Sequence, residues 1–161
     1  TLVLLDPSLV TTTPDDDVAE RLADAVDTVA GATDADVVLH SYWGAHGEKT
    51  YAHLMDADVD APGFDLLNDR EDTLHNGNEY GTKSSVALGL VDGQNTRVED
   101  PETVAERADW FEDRVPSQAF DTVYLTSNTE LFYLPVGPYR EKLSTLAVAA
   151  SGAGEEEEVA A

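Results

Sequence analysis

Cysteine is absent, and with it go disulfide scaffolds, thiolate catalysis, iron–sulfur clusters and cysteine zinc sites. Positive charge is nearly as scarce: nine Lys and Arg stand against 33 Asp and Glu, a net charge of -24 on 161 residues. Membrane surfaces and phosphate backbones are gripped by clustered cations, and the nine are scattered, so neither partner is expected. No apolar run approaches the roughly 18 residues that a bilayer demands. The opening stretch, residues 2–5, is far too short for a signal-peptide core and has no basic residues ahead of it. A Gly-rich phosphate loop, a G-x-G-x-x-G turn and a G-x-S-x-G elbow are all missing, so no cofactor cradle and no activated serine are expected. Carboxylate pairs occur everywhere and therefore point to no general acid or base.

What is present is a folded domain under heavy self-repulsion. Apolar residues make up 42% of the chain, too many for an acidic disordered segment. Acidic residues lie between apolar positions rather than replacing them, as in Asp15, Asp16, Asp17, Asp69, Glu71 and Asp72. Repulsion on this scale destabilises a compact state unless it is screened. At about 1 M salt the Debye length falls to roughly 3 Å, so the composition points to a salt-rich medium.

Residues 2–5 read as a short strand or arm. Thr13 reads as N-cap of a first helix and Pro14 as its first residue, with Asp15 to Asp17 at the positive end of the dipole. Val18, Leu22, Ala25, Val26 and Val29 form its apolar face, and Gly31 stops it. Residues 37–43 read as a strand, 44–47 as a turn and 50–55 as the returning strand. Residues 56–81 read as a long polar loop with turn signals at Pro62-Gly63 and Asn76-Gly77. A third strand covers 86–91. Asp100 as N-cap, Pro101 in first position and the stripe Val104, Ala108, Phe111, Val115 define a second helix, which Pro116 ends. Residues 120–126 and 131–136 read as hairpin strands, and 139–150 as an edge strand or a short helix. The expected architecture is a single α+β domain over 1–150 with an acidic tail over 151–161. Its small mixed or antiparallel sheet is packed by two amphipathic helices in the order (β)-α-β-β-long loop-β-α-β-β.

His40, His46 and His53, with Glu48 between them, surround the predicted strand–turn–strand. Three imidazoles and a carboxylate are a zinc-competent set, but their spacing matches no established zinc pattern, so they stand as metal candidates only. Tyr42-Trp43 and Trp110-Phe111 are either stacking platforms or core and interface anchors. No basic groove accompanies them, which favours anchors. Tyr42, Trp43, Phe64, Trp110, Tyr133 and Tyr139 are the interface candidates.

The element order, carried by Val18-Ala-Glu-Arg-Leu22, Val37-Val38-Leu39, Thr50-Tyr51, Val86-Ala-Leu-Gly-Leu90, Glu102-Thr-Val-Ala-Glu-Arg107 and Tyr139-Arg-Glu-Lys-Leu143, resembles tail terminator (tail completion) proteins of long-tailed viruses. The resemblance implies a structural virion protein, not an enzyme. It further implies a homo-hexameric ring that ends the tail tube and docks to neck proteins, here in a halophilic archaeal virus assembled at high salt in the host cytoplasm. Residues 1–10 and the 56–81 insertion depart from that pattern. Two alternatives stand beside it: a small halophilic α/β or α+β enzyme or ligand-binding protein with a His-based site, and a head–tail adaptor or other accessory virion protein.

Overall fold

Among the described residues five strands form one all-parallel sheet in sequential order: β1 (Leu2–Leu5), β2 (Val37–His40), β3 (Ala61–Asp65), β4 (Ser85–Val91) and β5 (Thr122–Ser127). The computed structural model describes the backbone of residues 1–115 and 119–160, with side chains placed as far as Gly152. Parallel neighbours cannot be joined by a tight hairpin and need a crossover, usually helical. The helices are α1 (Ser8–Thr11), α2 (Asp16–Ala30), α3 (Glu48–Asp56), α4 (Arg70–Tyr80), α5 (Pro101–Glu112) and α6 (Val136–Ala160). The fold is α/β, and the expected antiparallel pairing with only two helices is corrected.

Several local expectations change with it. Residues 50–55 are not a returning strand but lie in α3, where Thr50, Tyr51 and Leu54 are buried at helical spacing. The expected loop over 56–81 holds β3 and α4. Residues 131–136 form no strand, whereas 139–150 lie within α6. The first long helix is capped by Asp15 rather than Thr13. Its buried face is also turned by one residue: Ala19 and Val26 are covered while Val18 and Val29 are each 39% exposed. The second predicted helix holds as α5, with the Asp100 carboxylate accepting from Glu102 N at 3.0 Å and Val104, Ala108 and Phe111 buried. Pro116, expected to end it, lies outside the described residues. No helix among the described residues is long and apolar enough to cross a membrane.

The two faces of the sheet differ in kind. On one, Phe64, Val86, Leu88 and Leu90 pack with Tyr51, Val104, Phe111 and Leu146 of the helices, while Val37 and Leu39 pack with Val26 and Leu54. The opposite face carries Val38, Ala61, Ala87 and Tyr124, a cluster without a helical member. All the long helices thus cover one side of the sheet. In a flat sheet β2 and β5 would lie three strand spacings, roughly 14 Å, apart. Yet His40 Nε2 meets Thr126 Oγ1 at 3.0 Å and Trp43 N meets Asn128 O at 3.3 Å. The sheet is therefore curled, with the helix-free side concave.

Small residues permit that curvature. A Cβ on Gly63 would fall 2.5 Å from His40 Cγ and 2.7 Å from its Cα, and one on Gly89 would fall 2.8 Å from Asn128 Cα. Neither obstacle is a flexible side-chain end. Gly63→Ala is expected to destabilise by about 3 kcal/mol, the upper end of ordinary overpacking. Urea unfolding in molar KCl reads it, and a loss below about 1 kcal/mol would show that β2 and β3 can separate freely.

Candidate functional site

Parallel α/β sheets gather their ligands outside the carboxyl ends of the strands, because there the strand–helix loops converge. In this chain that end receives Asp6 after β1, residues 41–47 after β2, residues 66–69 after β3, Asp92-Gly93 after β4 and residues 128–135 after β5. Polar side chains are buried there in number: His40, Ser41, Asp65, Ser127, Asn128 and Thr129 are each less than 8% exposed.

His40 ends β2 and reaches across Gly63 to β5. Its Nδ1 accepts from Tyr42 N at 3.3 Å, so the proton sits on Nε2, which donates to Thr126 Oγ1. That hydroxyl in turn donates to Leu88 O at 3.1 Å. Burial, with a smaller contribution from His46, holds the His40 pKa down at about 3. The ring is neutral and both nitrogens are engaged; it positions its neighbours and has no lone pair free for a metal.

Asp65 ends β3 and is fully buried. Its Oδ1 accepts from Leu67 N at 2.8 Å and Asn68 N at 3.1 Å, and its Oδ2 from Asn68 Nδ2 at 2.6 Å and Asn128 Nδ2 at 3.4 Å. Four donors without a cation hold this carboxylate. Asn128 also accepts from Gly93 N at 3.1 Å, so one amide links the ends of β3, β4 and β5. Beside it the Thr129 hydroxyl is buried without a protein partner.

The loop after β2 is strained. Tyr42 and Trp43 have φ of 56° and 67°, a region costly for side chains of this size. Tyr42 lies edge-on to His40 with ring centroids 4.7 Å apart. Trp43 stays 42% exposed, its Nε1 donating to Glu130 Oε2 at 3.2 Å. Phe132 and Tyr133 lie on the same rim, tilted by 42° with ring centroids 4.3 Å apart, and are 72% and 78% exposed. The site is thus a strained aromatic wall over a buried polar floor, most of it hydrogen-bonded, in which the Thr129 hydroxyl lacks a protein partner.

The metal candidates do not converge. His46, in the loop before α3, lines a small void with Leu39, Leu54 and Pro62, and its Nδ1 is buried without a partner. Burial lowers its pKa to about 4, opposed by Asp6. Glu48 and His53 lie on α3, and Glu48 is engaged by Tyr80 OH at 3.1 Å and His75 at 3.4 Å. Among the described residues no group of three or more His, Asp or Glu is arranged to hold a metal. Of the interface candidates, Phe64 is a 4% exposed core residue, Trp110 is partly buried against the core, and Tyr139 is 38% exposed on α6. Sequence reasoning missed Asp65, Thr126, Asn128 and Thr129. Each ends or follows a β-rich run, a signal usable only once the strands are known to be parallel.

Comparison with known proteins places this geometry. The family described as "Cobalamin-independent synthase, N-terminal domain" matches residues 1–115. A B12-independent methionine synthase from Shewanella sp. W3-18-1, solved in complex with selenomethionine, superposes with a TM-score of 0.75 at 16% identity, over 98% of this chain and 50% of that one. The chain therefore spans about half the length of the solved structure it matches. No curated protein matches the sequence. The family match overturns the tail-terminator resemblance, and with it the non-enzymatic virion role, the hexameric ring, the tail-tube and neck partners and the location in a virion. The misreading has a physical origin: helices α3 and α4, taken for strand and loop, removed the crossovers that distinguish this fold.

Proposed function

Because the chain belongs to the cobalamin-independent synthase N-terminal domain family, we propose that it supplies five βα units of a barrel whose strand carboxyl ends bind a methionine-like amino acid in an enzyme of methionine synthesis. The observation that carries the reading is the curled floor: the His40–Thr126 bond draws β2 and β5 together and brings the loops after the strands around one opening. The concave face bears Val3 and Leu5, 49% and 50% exposed. The bound selenomethionine in the similar fold supports the ligand class. Tyr42 and Trp43 offer aromatic faces to a thioether, and Asp6 and Glu130 offer negative charge to an α-ammonium group. His40 holds the aromatic wall in place and transfers no proton. The net charge of -24 supports a salt-rich working medium.

Titration with L-selenomethionine in molar KCl, followed by amide and indole NMR shifts, tests the proposal. Saturable shifts are expected at the Trp43 indole and residues 126–130, with Trp43→Ala weakening binding about three- to tenfold, the range of a sulfur–aromatic contact. Shifts confined to the helical layer, or none that saturate, would remove the reading.

A further inference from the structure

Two of the nine cations of this acidic chain stack on one indole, and a third lines the cleft beside it. Arg70 and Arg114 place their guanidinium carbons 4.8 and 4.9 Å from the Trp110 ring centroid. Arg107, on α5, donates Nη1 to Leu90 O at 2.5 Å. Between the start of α4 and the face of α5, Arg70 and Arg107 border a cleft of about 270 Å³, lined also by Leu66, Thr103, Glu106 and Trp110.

With 33 carboxylates available, arginines placed only for balance would be paired. Among the described residues Arg107 and Arg114 make no ion pair, and Arg70 makes one, an exposed 3.4 Å contact with Glu71. Glu106, the carboxylate on the cleft wall, pairs with none of them. Each guanidinium is instead fixed by a ring face or a backbone carbonyl, which orients it while leaving further N–H groups unused. Arginine presents five donors in a planar fork suited to carboxylate and phosphate.

We infer that this cleft binds a small oxyanion, the carboxylate or phosphate group of a metabolite, held by Arg107 and Arg70 with the Thr103 hydroxyl beside them. The site lies on the helical layer and stands or falls independently of the amino-acid site proposed above. Its salt response is distinctive. The field of the whole acidic chain repels anions at low ionic strength, whereas in molar salt only contact-range forces survive, so affinity rises with KCl before chloride competition sets in.

The experiment uses Trp43→Phe, which leaves Trp110 as the single tryptophan of the two in the chain. Its fluorescence is titrated with inorganic phosphate and, separately, with acetate in molar KCl at constant ionic strength. A saturable change is expected with at least one anion; phosphate alone assigns a phosphate group and acetate alone a carboxylate. Arg107→Gln and Arg70→Gln should each weaken it about tenfold or more, the usual effect of losing a charge-assisted hydrogen bond, while Arg140→Gln on α6 leaves it unchanged. Arg70 is exposed, so its variant folds even if the Arg107 variant does not. A linear, unsaturating response, or one midpoint shared by the parent and Arg70→Gln, would overturn the inference.

Discussion

Replacing Lys142 with alanine is expected to cost about 3–5 kcal/mol of folding stability, the range for breaking a buried ion pair from one side. Lys142 has no exposed surface. Its ammonium lies 2.6 Å from Glu99 and also donates to Arg97 O. Glu99 in turn accepts from Asp92 N at 2.9 Å, and its carbonyl accepts from Thr145 Oγ1 at 3.1 Å. One ion pair thus ties the whole segment between β4 and α5 to α6. Its loss leaves a carboxylate, 11% exposed, without a cation. Replacing both partners, Lys142→Met with Glu99→Gln, should recover much of the loss because no orphaned charge remains. Denaturant unfolding in molar KCl measures all three proteins. A Lys142→Ala protein within 1 kcal/mol of the parent would show that the clamp is not structural.

Acidification is expected to be the second large effect, through buried His40 and half-buried His46, both held in neutral form. Both have folded pKa values below the ordinary 6.5, about 3 for His40 and about 4 for His46. The unfolded chain therefore takes up protons first, so stability is full above pH 6.5 and is lost as pH falls toward the folded values. At about 1.4 kcal/mol per pKa unit, His46 alone contributes on the order of 3 kcal/mol. Carboxylates titrate in the same window and their protonation relieves repulsion, so the histidine contribution is best read as a difference. Between pH 6.5 and 4.5 the parent should lose stability more steeply than His46→Gln. Parallel slopes for the two proteins would remove His46 from the acid response.

The sequence made legible those elements whose local chemistry and tertiary role agree. Asp100-Pro101 and the stripe to Phe111 are a complete helix start and face, and α5 follows them closely. Strand β4 is a plain apolar run buried on both sides. Elsewhere the local signal pointed the wrong way. Pro62-Gly63 is turn chemistry, yet Pro62 sits where β3 pairs only with β2, and Gly63 is needed because the His40 ring lies across it. Helix α4 is polar nearly throughout and has no apolar period; it buries Thr73, Asn76 and Gly77, with Asn76 donating to His46 O at 2.8 Å. Tyr51 and Thr50 resemble strand residues by type and are helical by burial. Of the site, His40, Tyr42 and Trp43 were visible as unusual residues beside a strand. Asp65 was one acid among 33, and Asn128 passed for a hairpin turn.

The two edges of the sheet carry a consequence for handling the molecule. Among the described residues β1 and β5 each have one neighbour, and an open strand edge is a template for pairing with another chain. At low ionic strength, mutual repulsion between strongly acidic copies is a colloidal barrier in front of those edges. Molar salt quiets the strain within each copy and dismantles the barrier between copies at the same time. The concentration of salt that best preserves the fold is thus also the one at which solutions of the isolated chain are most prone to edge-to-edge association, and the working range is bounded on both sides.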